Sequence, residues 1–314
     1  MREDADILIV GAGMTGISCA RVLTAAGRQV RLVDKGRGIG GRMATRRVTL
    51  PEGEIRFDHG AQYLRPRAPD FAEALQEAMA QDWPDPAGAA RLVGVPGMSA
   101  LPRAMAGALT VSQNVTVTAL AREAAGWQVA TTAGALVARI VVLTQPAPQV
   151  ARVLGGTHPL VDALQGVEMA PCLTLMAAFP AASPRPFETL RDPDHPLAWI
   201  ARDSSKPGRG AGPVAWVAQA GPAFSHTHLE ATPDAITAQM LPLLCERIGA
   251  DPASALHATA HRWRYSQTTR PLGRPFLRGD DAGLYLGGDW ALGNRAEHAW
   301  TSGRAIAADI LGTD

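Results

Sequence analysis

The feature that most constrains this chain is its opening segment, ILIVGAGMTGISCARVLTAAGRQVRLVD. It reads as a strand, a glycine turn, a helix and a second strand. Ile7 to Val10 is a continuous apolar run, the pattern of a strand buried on both faces. Gly11, Gly13 and Gly16 follow at G-x-G-x-x-G spacing. The first glycine permits a tight turn, the second lets a pyrophosphate approach the backbone, and the third lets helix and strand pack closely. The spacing predicts a helix over Thr15–Ala26, ended by Gly27, then a strand over Gln29–Val33. Asp34 ends that strand, where a carboxylate can accept hydrogen bonds from ribose hydroxyls. The helix N-terminus offers free N–H groups and a partial positive charge to phosphates. Strand, glycines, helix, strand and acid in this order define a dinucleotide site.

Composition sets the limits around that unit. With 314 residues, 46% of them hydrophobic, the chain can bury a large core and divides into about two domains. A net charge of +1 and 19% charged residues argue against disorder and against nucleic-acid binding. The apolar run Ile7 to Val10 falls far below the ~20 residues of a membrane span, and Glu3, Asp4 and Asp6 have the wrong sign for a signal peptide. No membrane partner and a cytoplasmic location are therefore expected. Cys19, Cys172 and Cys245 lie far apart with no C-x-x-C pair, which excludes a disulfide framework or zinc ribbon. His226 and His228 fall in a predicted loop with no third ligand nearby, so no metal site is expected.

After Asp34 comes KGRGIGGRMATRR, then FDHGAQY at residues 57–63, and near the C-terminus LYLGGDW at 284–290. These segments resemble the FAD-binding amine-oxidase superfamily. Within it, GGRMATRR, FDHGAQY, the LTQPAPQ turn and Asp203-Ser204-Ser205-Lys206-Pro207-Gly208-Arg209 are most similar to the bacterial renalase-like proteins. The resemblance implies an α/β fold: a Rossmann-type FAD-binding domain interleaved with a smaller α+β substrate domain. Residues 1–57, 98–160 and 262–314 would form the first, and 58–97 and 161–261 the second. It implies noncovalent FAD, since no cysteine follows Cys245 to form a thioether. Gly11, Gly13, Met14, Thr15, Gly16, Asp34, Lys35, Gly41, Arg42, Met43, His59, Gly60, Ala61, Gln62, Val117, Gly288 and Asp289 would contact FAD. A final helix opening at Ala299, Trp300 and Thr301 would aim its N-terminus at the flavin pyrimidine, where reduced flavin gathers negative charge. Arg37, Arg46 and Arg47, like Arg42, would also serve FAD.

The sequence limits the chemistry in a second way. Flavin amine oxidases commonly use a lysine near N5 and an aromatic cage for the amine. Only Lys35 and Lys206 are present, and the three tyrosines are Tyr63, Tyr265 and Tyr285. The renalase resemblance implies a different substrate: 2- and 6-dihydro isomers of NAD(P), returned to β-NAD(P)+ while dioxygen becomes hydrogen peroxide. A dinucleotide needs cations for its phosphates. Arg202, Lys206, Arg209, Arg262 and Arg264 are the candidates, each otherwise a solvated charge. His261 to Tyr265 alternate as a strand that either lines the substrate cavity or is buried structure. His59, Asn294 and His298 are the candidates for a direct catalytic role. The rivals are a flavin amine oxidase or desaturase, and a flavoprotein without turnover.

Six further elements are predicted. Asn114–Ala119 and Trp127–Thr132 form a hairpin, and Ala138–Thr144, Leu197–Arg202 and Pro213–Ala220 are strands. Thr232 caps a helix to Ile248, ended by Gly249, with a kink or break at Pro242.

Overall fold

The computed structural model describes residues 3–85, 88–124, 126–280 and 283–312. The predicted opening unit is present as strand Glu3–Val10, helix Met14–Ala25 and strand Val30–Val33. Gly27 takes the left-handed conformation after the helix, at φ +79°, as a C′ glycine does. Strand Glu3–Val10 lies between Val30–Val33 and Gly134–Leu143, parallel to both. Leu284–Leu286 extends the parallel set beyond Gly134–Leu143, and Val111–Ser112 extends it beyond Val30–Val33. The predicted hairpin appears as Val117–Glu123 and Gly126–Thr131, attached antiparallel to the first half of Gly134–Leu143.

Alternation along the first strand divides the core. Leu8 and Val10 face a cluster with Val141, Leu143, Leu286 and Trp290. Ile7 and Ile9 face another with Leu23, Val142, Ile306 and Ile310, from the first and last helices. Gly303 of the last helix, Ala296–Gly312, sits where a Cβ would lie 2.1 Å from Ser18 Oγ and 2.2 Å from the Thr15 carbonyl oxygen. Only a glycine lets the two helices approach this closely.

The second layer is a five-stranded antiparallel sheet. Its strand order is Thr189–Arg191, Trp199–Arg202, Val214–Gln219, Glu168–Phe179 and His257–Arg270. One face packs on helix Pro233–Ile248 through Leu175, Ala177, Ala260, Met240 and Leu244. Thr232 caps that helix by accepting from the Ala235 N–H at 3.2 Å, and Gly249 closes it at φ +68°. Pro242 does not divide it. Of the expected kink or break, the break does not occur, because burial of Ile236, Met240, Leu244 and Ile248 outweighs a single missing N–H. The other face packs on a hairpin, Thr45–Leu50 and Gly53–Asp58, through Met176, Ala178, Val217, Ile55 and Phe57.

Two boundaries between the expected domains move. The limit at 262 falls inside strand His257–Arg270, which continues past a register shift opposite Ala170 and Cys172. Residues 45–57, expected with the nucleotide domain, lie against the antiparallel sheet. His226 lies in a short helix, Pro222–Thr227, rather than in a loop, and His228 packs its ring 4.3 Å from Phe224.

Candidate functional site

The carboxyl ends of the parallel strands converge on one glycine-lined rim, the usual ligand position in such sheets. Gly11 (φ +114°) is walled by Thr144, and a Cβ on Gly16 would lie 1.9 Å from the Gly11 carbonyl oxygen. A Cβ on Gly13, by contrast, would meet nothing within 4 Å. Two glycines build the turn, and the third leaves open space beside the N-terminus of helix Met14–Ala25. The Asp34 carboxylate accepts from the Ala12 N–H and the Gly36 N–H, both at 2.6 Å, which fixes it against that turn. Met14 and Thr15 are buried at the helix start. Lys35 points outward and donates to Gln149 at 3.1 Å. Val117 follows Val115, whose N–H donates to the Asp34 carbonyl at 2.9 Å, so this strand borders the acid.

Gly40 and Gly41 bring the second glycine loop onto the first. Gly40 N–H donates to the Ala12 carbonyl at 2.9 Å, and both glycines have positive φ. Met43 is buried behind them. Arg42 reaches across the chain and donates through Nη1 to Asp289 Oδ2 and the Ser266 carbonyl, each at 2.8 Å; its Nη2 pairs with Asp289 Oδ1. The Arg42 carbonyl in turn accepts from the Ala61 N–H at 2.9 Å, and a Cβ on Gly60 would lie 1.9 Å from that oxygen. Gln62 donates to the Asp58 carbonyl, tightening the 58–62 turn. Gly288 donates to Ser302 Oγ at 3.1 Å. The three motifs from opposite ends of the chain therefore meet in one hydrogen-bonded rim.

The last helix corrects an expectation. It begins at Ala296, a turn before Ala299, Trp300 and Thr301. The Ala299 N–H already bonds the Arg295 carbonyl. Trp300 turns its ring to Phe71 and donates from Nε1 to Asp70 at 3.1 Å, and Thr301 is exposed. The free N–H groups belong to the turn around Ala296 and Glu297. Glu297, missed in the sequence, accepts from the Arg67 and Ala68 N–H groups at 2.8 and 2.6 Å and ties this turn to the chain after Gln62.

Lys206 and Arg209 also depart from expectation. They are not surface phosphate ligands. Lys206 Nζ lies 3.0 Å from Asp58 Oδ2 and 2.6 Å from Asp203 Oδ1, while Arg209 pairs with Asp58 and stands 3.4 Å from Asp203. All four side chains are at most 3% exposed. Burial pushes the Asp58 carboxyl up. Lys206 and Arg209, with hydrogen bonds from Thr45 and Met98, outweigh it and hold Asp58 below the usual carboxylate range. Beside this quartet, Arg91 lies 5.1 to 5.4 Å from the rings of Tyr63, Trp83 and Trp199 and pairs with Asp85 at 2.9 Å. Lys206 Nζ also stands 5.1 Å over Trp83. The aromatic box of this chain is occupied by its own cations.

On strand His257–Arg270 the expected cations point the wrong way. Arg262 donates to the Leu229 carbonyl, and Arg264 makes a two-pronged pair with Glu230 at 2.6 and 2.9 Å. Both share the face of Ala260, toward the helix side. Arg202 pairs with Glu188 at 3.2 Å. The opposite parity faces the 58–62 turn: Trp263 stacks on His59 at 5.1 Å and donates to its carbonyl at 2.8 Å, and His261 meets His59 edge-on at 4.7 Å. Burial, His261 and Arg46 push His59 down to about 4; burial, Arg46 and Arg262 push His261 down to about 4. Both rings are neutral at pH 7. Asn294 is exposed, and His298, half-buried, is pushed below its ordinary value by burial and Arg295.

The rim, the acid beside the glycine turn and the close inter-motif contacts define a nucleotide-cofactor oxidoreductase framework. The model of the flavin containing amine oxidoreductase family matches residues 87–311, and that of the NAD(P)-binding Rossmann-like domain matches residues 9–78. The chain belongs to the flavin containing amine oxidoreductase family. Membership implies FAD, and the residues fit it: Gly13 leaves the cradle that a Cβ would fill, and Gln145 Oε1 is buried without a partner just after strand Gly134–Leu143. Among solved structures, a putrescine oxidase variant is similar at TM-score 0.74 and 13% identity, over 100% of each chain. Cyclohexylamine oxidase from Brevibacterium oxydans is similar at 0.71 and 14%, over 99% of each. A putative protoporphyrinogen oxidase from an Exiguobacterium species is similar at 0.69 and 13%, over 100% of each. These likenesses concern the fold. Among the described residues, no helix is long and apolar enough to cross a membrane.

Proposed function

We propose that the chain is an FAD-dependent oxidase of 2- and 6-dihydro isomers of NAD(P). Each turnover converts dihydro-NAD(P), O2 and one proton to β-NAD(P)+ and hydrogen peroxide. When bound, FAD supplies the hydride acceptor and passes the electron pair to dioxygen. The observation that carries the reading is the engagement of Lys206. Both carboxylates of the buried quartet hold it, so it is not free to position a water for amine oxidation. The box of Tyr63, Trp83 and Trp199 already surrounds Arg91.

A dihydropyridine already carries a transferable hydride and needs no base to activate it. The residues bordering the rim suit such a donor. His59 and His261 are neutral, and Trp263 with His59 forms a stacked aromatic wall. The backbone of Gly11 to Gly16 would hold the FAD pyrophosphate, Asp34 its ribose, and Gly41, Arg42, Gly60 to Gln62, Gly288 and Asp289 its remainder. The cofactor would be held noncovalently: Cys19, Cys172 and Cys245 are all buried, in the first helix, the antiparallel sheet and helix Pro233–Ile248.

Anaerobic stopped-flow absorbance tests the reading. The FAD-loaded protein is mixed with the isomers from borohydride reduction of NAD+, with β-NADH, and with a set of amines. Fast bleaching by the isomers alone is expected. Bleaching by an amine and none by the isomers would overturn the proposal.

A further inference from the structure

Arg46 is one of several arginines without a side-chain partner among the described residues, and its direction sets it apart. Most of the others answer a carboxylate or a carbonyl. The Arg46 guanidinium makes no hydrogen bond or ion pair among the described residues, and the residue is exposed. Its direction follows from the hairpin. Arg46 stands directly opposite Phe57, and paired residues of an antiparallel ladder share a face. Phe57 is fully buried against the antiparallel sheet and lies 6.0 Å from the His257 ring. Arg46 therefore faces strand His257–Arg270, the edge of that sheet. The resemblance assigned this arginine to FAD; the hairpin turns it toward the other sheet.

Along that edge His257 and His261 share the parity of Trp263. Arg46 is close enough to depress the titration of His257, His261 and His59 alike, and no carboxylate acts on His257 or His261. His261 is only partly buried, and its ring makes no side-chain hydrogen bond among the described residues. An unpaired cation and two neutral imidazoles on which no carboxylate acts leave this edge of the sheet electropositive. It lies next to the His59–Trp263 wall. An anion entering there would gain a fork of guanidinium donors and imidazole N–H groups.

We propose that Arg46, with His261, forms an anion subsite that receives a phosphate of the dinucleotide substrate, His257 flanking it along the strand. The proposal rests on the dinucleotide reading above and names the part of the substrate that the antiparallel sheet grips. The phosphate is either one of the bridging pair or a 2′-phosphate on the adenosine side.

The test is titration calorimetry on FAD-saturated protein, with ADP, NMN and 2′-AMP as separate probes. Wild type is compared with Arg46→Gln, His261→Gln and, as a control for lost charge, Arg270→Gln, whose partner is Glu168 on the outer surface. At least one probe is expected to bind with a dissociation constant that rises about tenfold in Arg46→Gln, about threefold in His261→Gln and not in Arg270→Gln. Arg46-dependent binding of ADP and NMN would identify the bridging phosphates; Arg46-dependent binding of 2′-AMP alone would identify the 2′-phosphate. No binding, or equal affinity in wild type and Arg46→Gln, overturns the subsite. Stopped-flow on the same variants separates the two ideas. If the isomers bleach the flavin with unchanged saturation in Arg46→Gln, the subsite fails and the dinucleotide reading stands. If Arg46-dependent binding is seen but the isomers never bleach, the subsite stands and that reading fails.

Discussion

The two sheets hold their functional groups by different means. At the ends of the parallel strands the backbone acts: glycines leave space, and amides and one carboxylate define the rim. Around the antiparallel sheet side chains act, and they meet from distant parts of the chain. Lys206 reaches Asp58 across 148 residues, and Trp263 reaches His59 across 204. A backbone site is sensitive to single added carbons. A side-chain site is sensitive to lost partners. The contrast can be tested from both ends.

The largest effect is expected at the glycine turn. Gly16→Val puts carbon into the Gly11 carbonyl, and the variant should fail to fold with bound flavin, read as loss of visible absorbance in the purified protein. Gly13→Ala meets open space within the protein, so thermal stability of the apoprotein should hold while FAD affinity falls at least about tenfold. Equal damage from both variants would remove the distinction between a structural glycine and a cradle glycine.

Next comes Lys206→Met. It leaves Asp58 and Asp203 buried with Arg209 alone, and breaking such a set costs about 3–5 kcal/mol. Urea unfolding should show that loss, and bleaching by the isomers should survive in the folded fraction. Retained stability with abolished turnover would instead make Lys206 a catalytic residue.

A smaller effect is expected from pH. His59 is held at about 4, below its ordinary 6.5. Between those values the unfolded chain binds more protons than the folded one, so stability falls as pH drops from about 6.5 to about 4 and is level above that window. Buried His59 would account for a loss of about 3 kcal/mol across that window, and the more exposed His261 a screened, lesser share. His59→Asn should flatten the pH dependence of the urea midpoint; an unchanged slope would assign it elsewhere. The least effect belongs to Arg262→Ala and Arg264→Ala, whose side chains turn away from the rim. Saturation by the isomers should move by less than about twofold, as for other exposed ion pairs.

This contrast also explains what could be read in advance. Gly11, Gly16, Gly27 and Asp34 were legible because each answers a local demand: a positive φ, a close approach, a strand end. The FDHGAQY turn and the Gly288-Asp289 pair were legible as motifs. Arg262 and Arg264 were misassigned because a strand shows its alternation but not which parity faces the ligand. The ring contacts of His59 with His261 and Trp263 decide it. Lys206 was misread because Pro, Gly and Ser around it suggest a surface loop, yet Asp203, three residues earlier, and Asp58 draw it inward. The start of the last helix is unmarked in the sequence because Arg295, the residue just before it, is not a capping residue. Glu297 was missed for a similar reason: its partners are backbone amides 229 and 230 residues away.

The seating of Gly303 on the first helix has a consequence for how the protein is made. A ribosome delivers strand Glu3–Val10 and the glycine turn early. Helix Ala296–Gly312, which covers them, emerges only after the whole antiparallel sheet. Until then Ile7, Ile9 and Leu23 have one side bare to solvent. The nucleotide cradle is begun at one end of the chain and closed from the other, so a nascent chain halted anywhere before that last helix carries the glycine fingerprint without a finished place to use it.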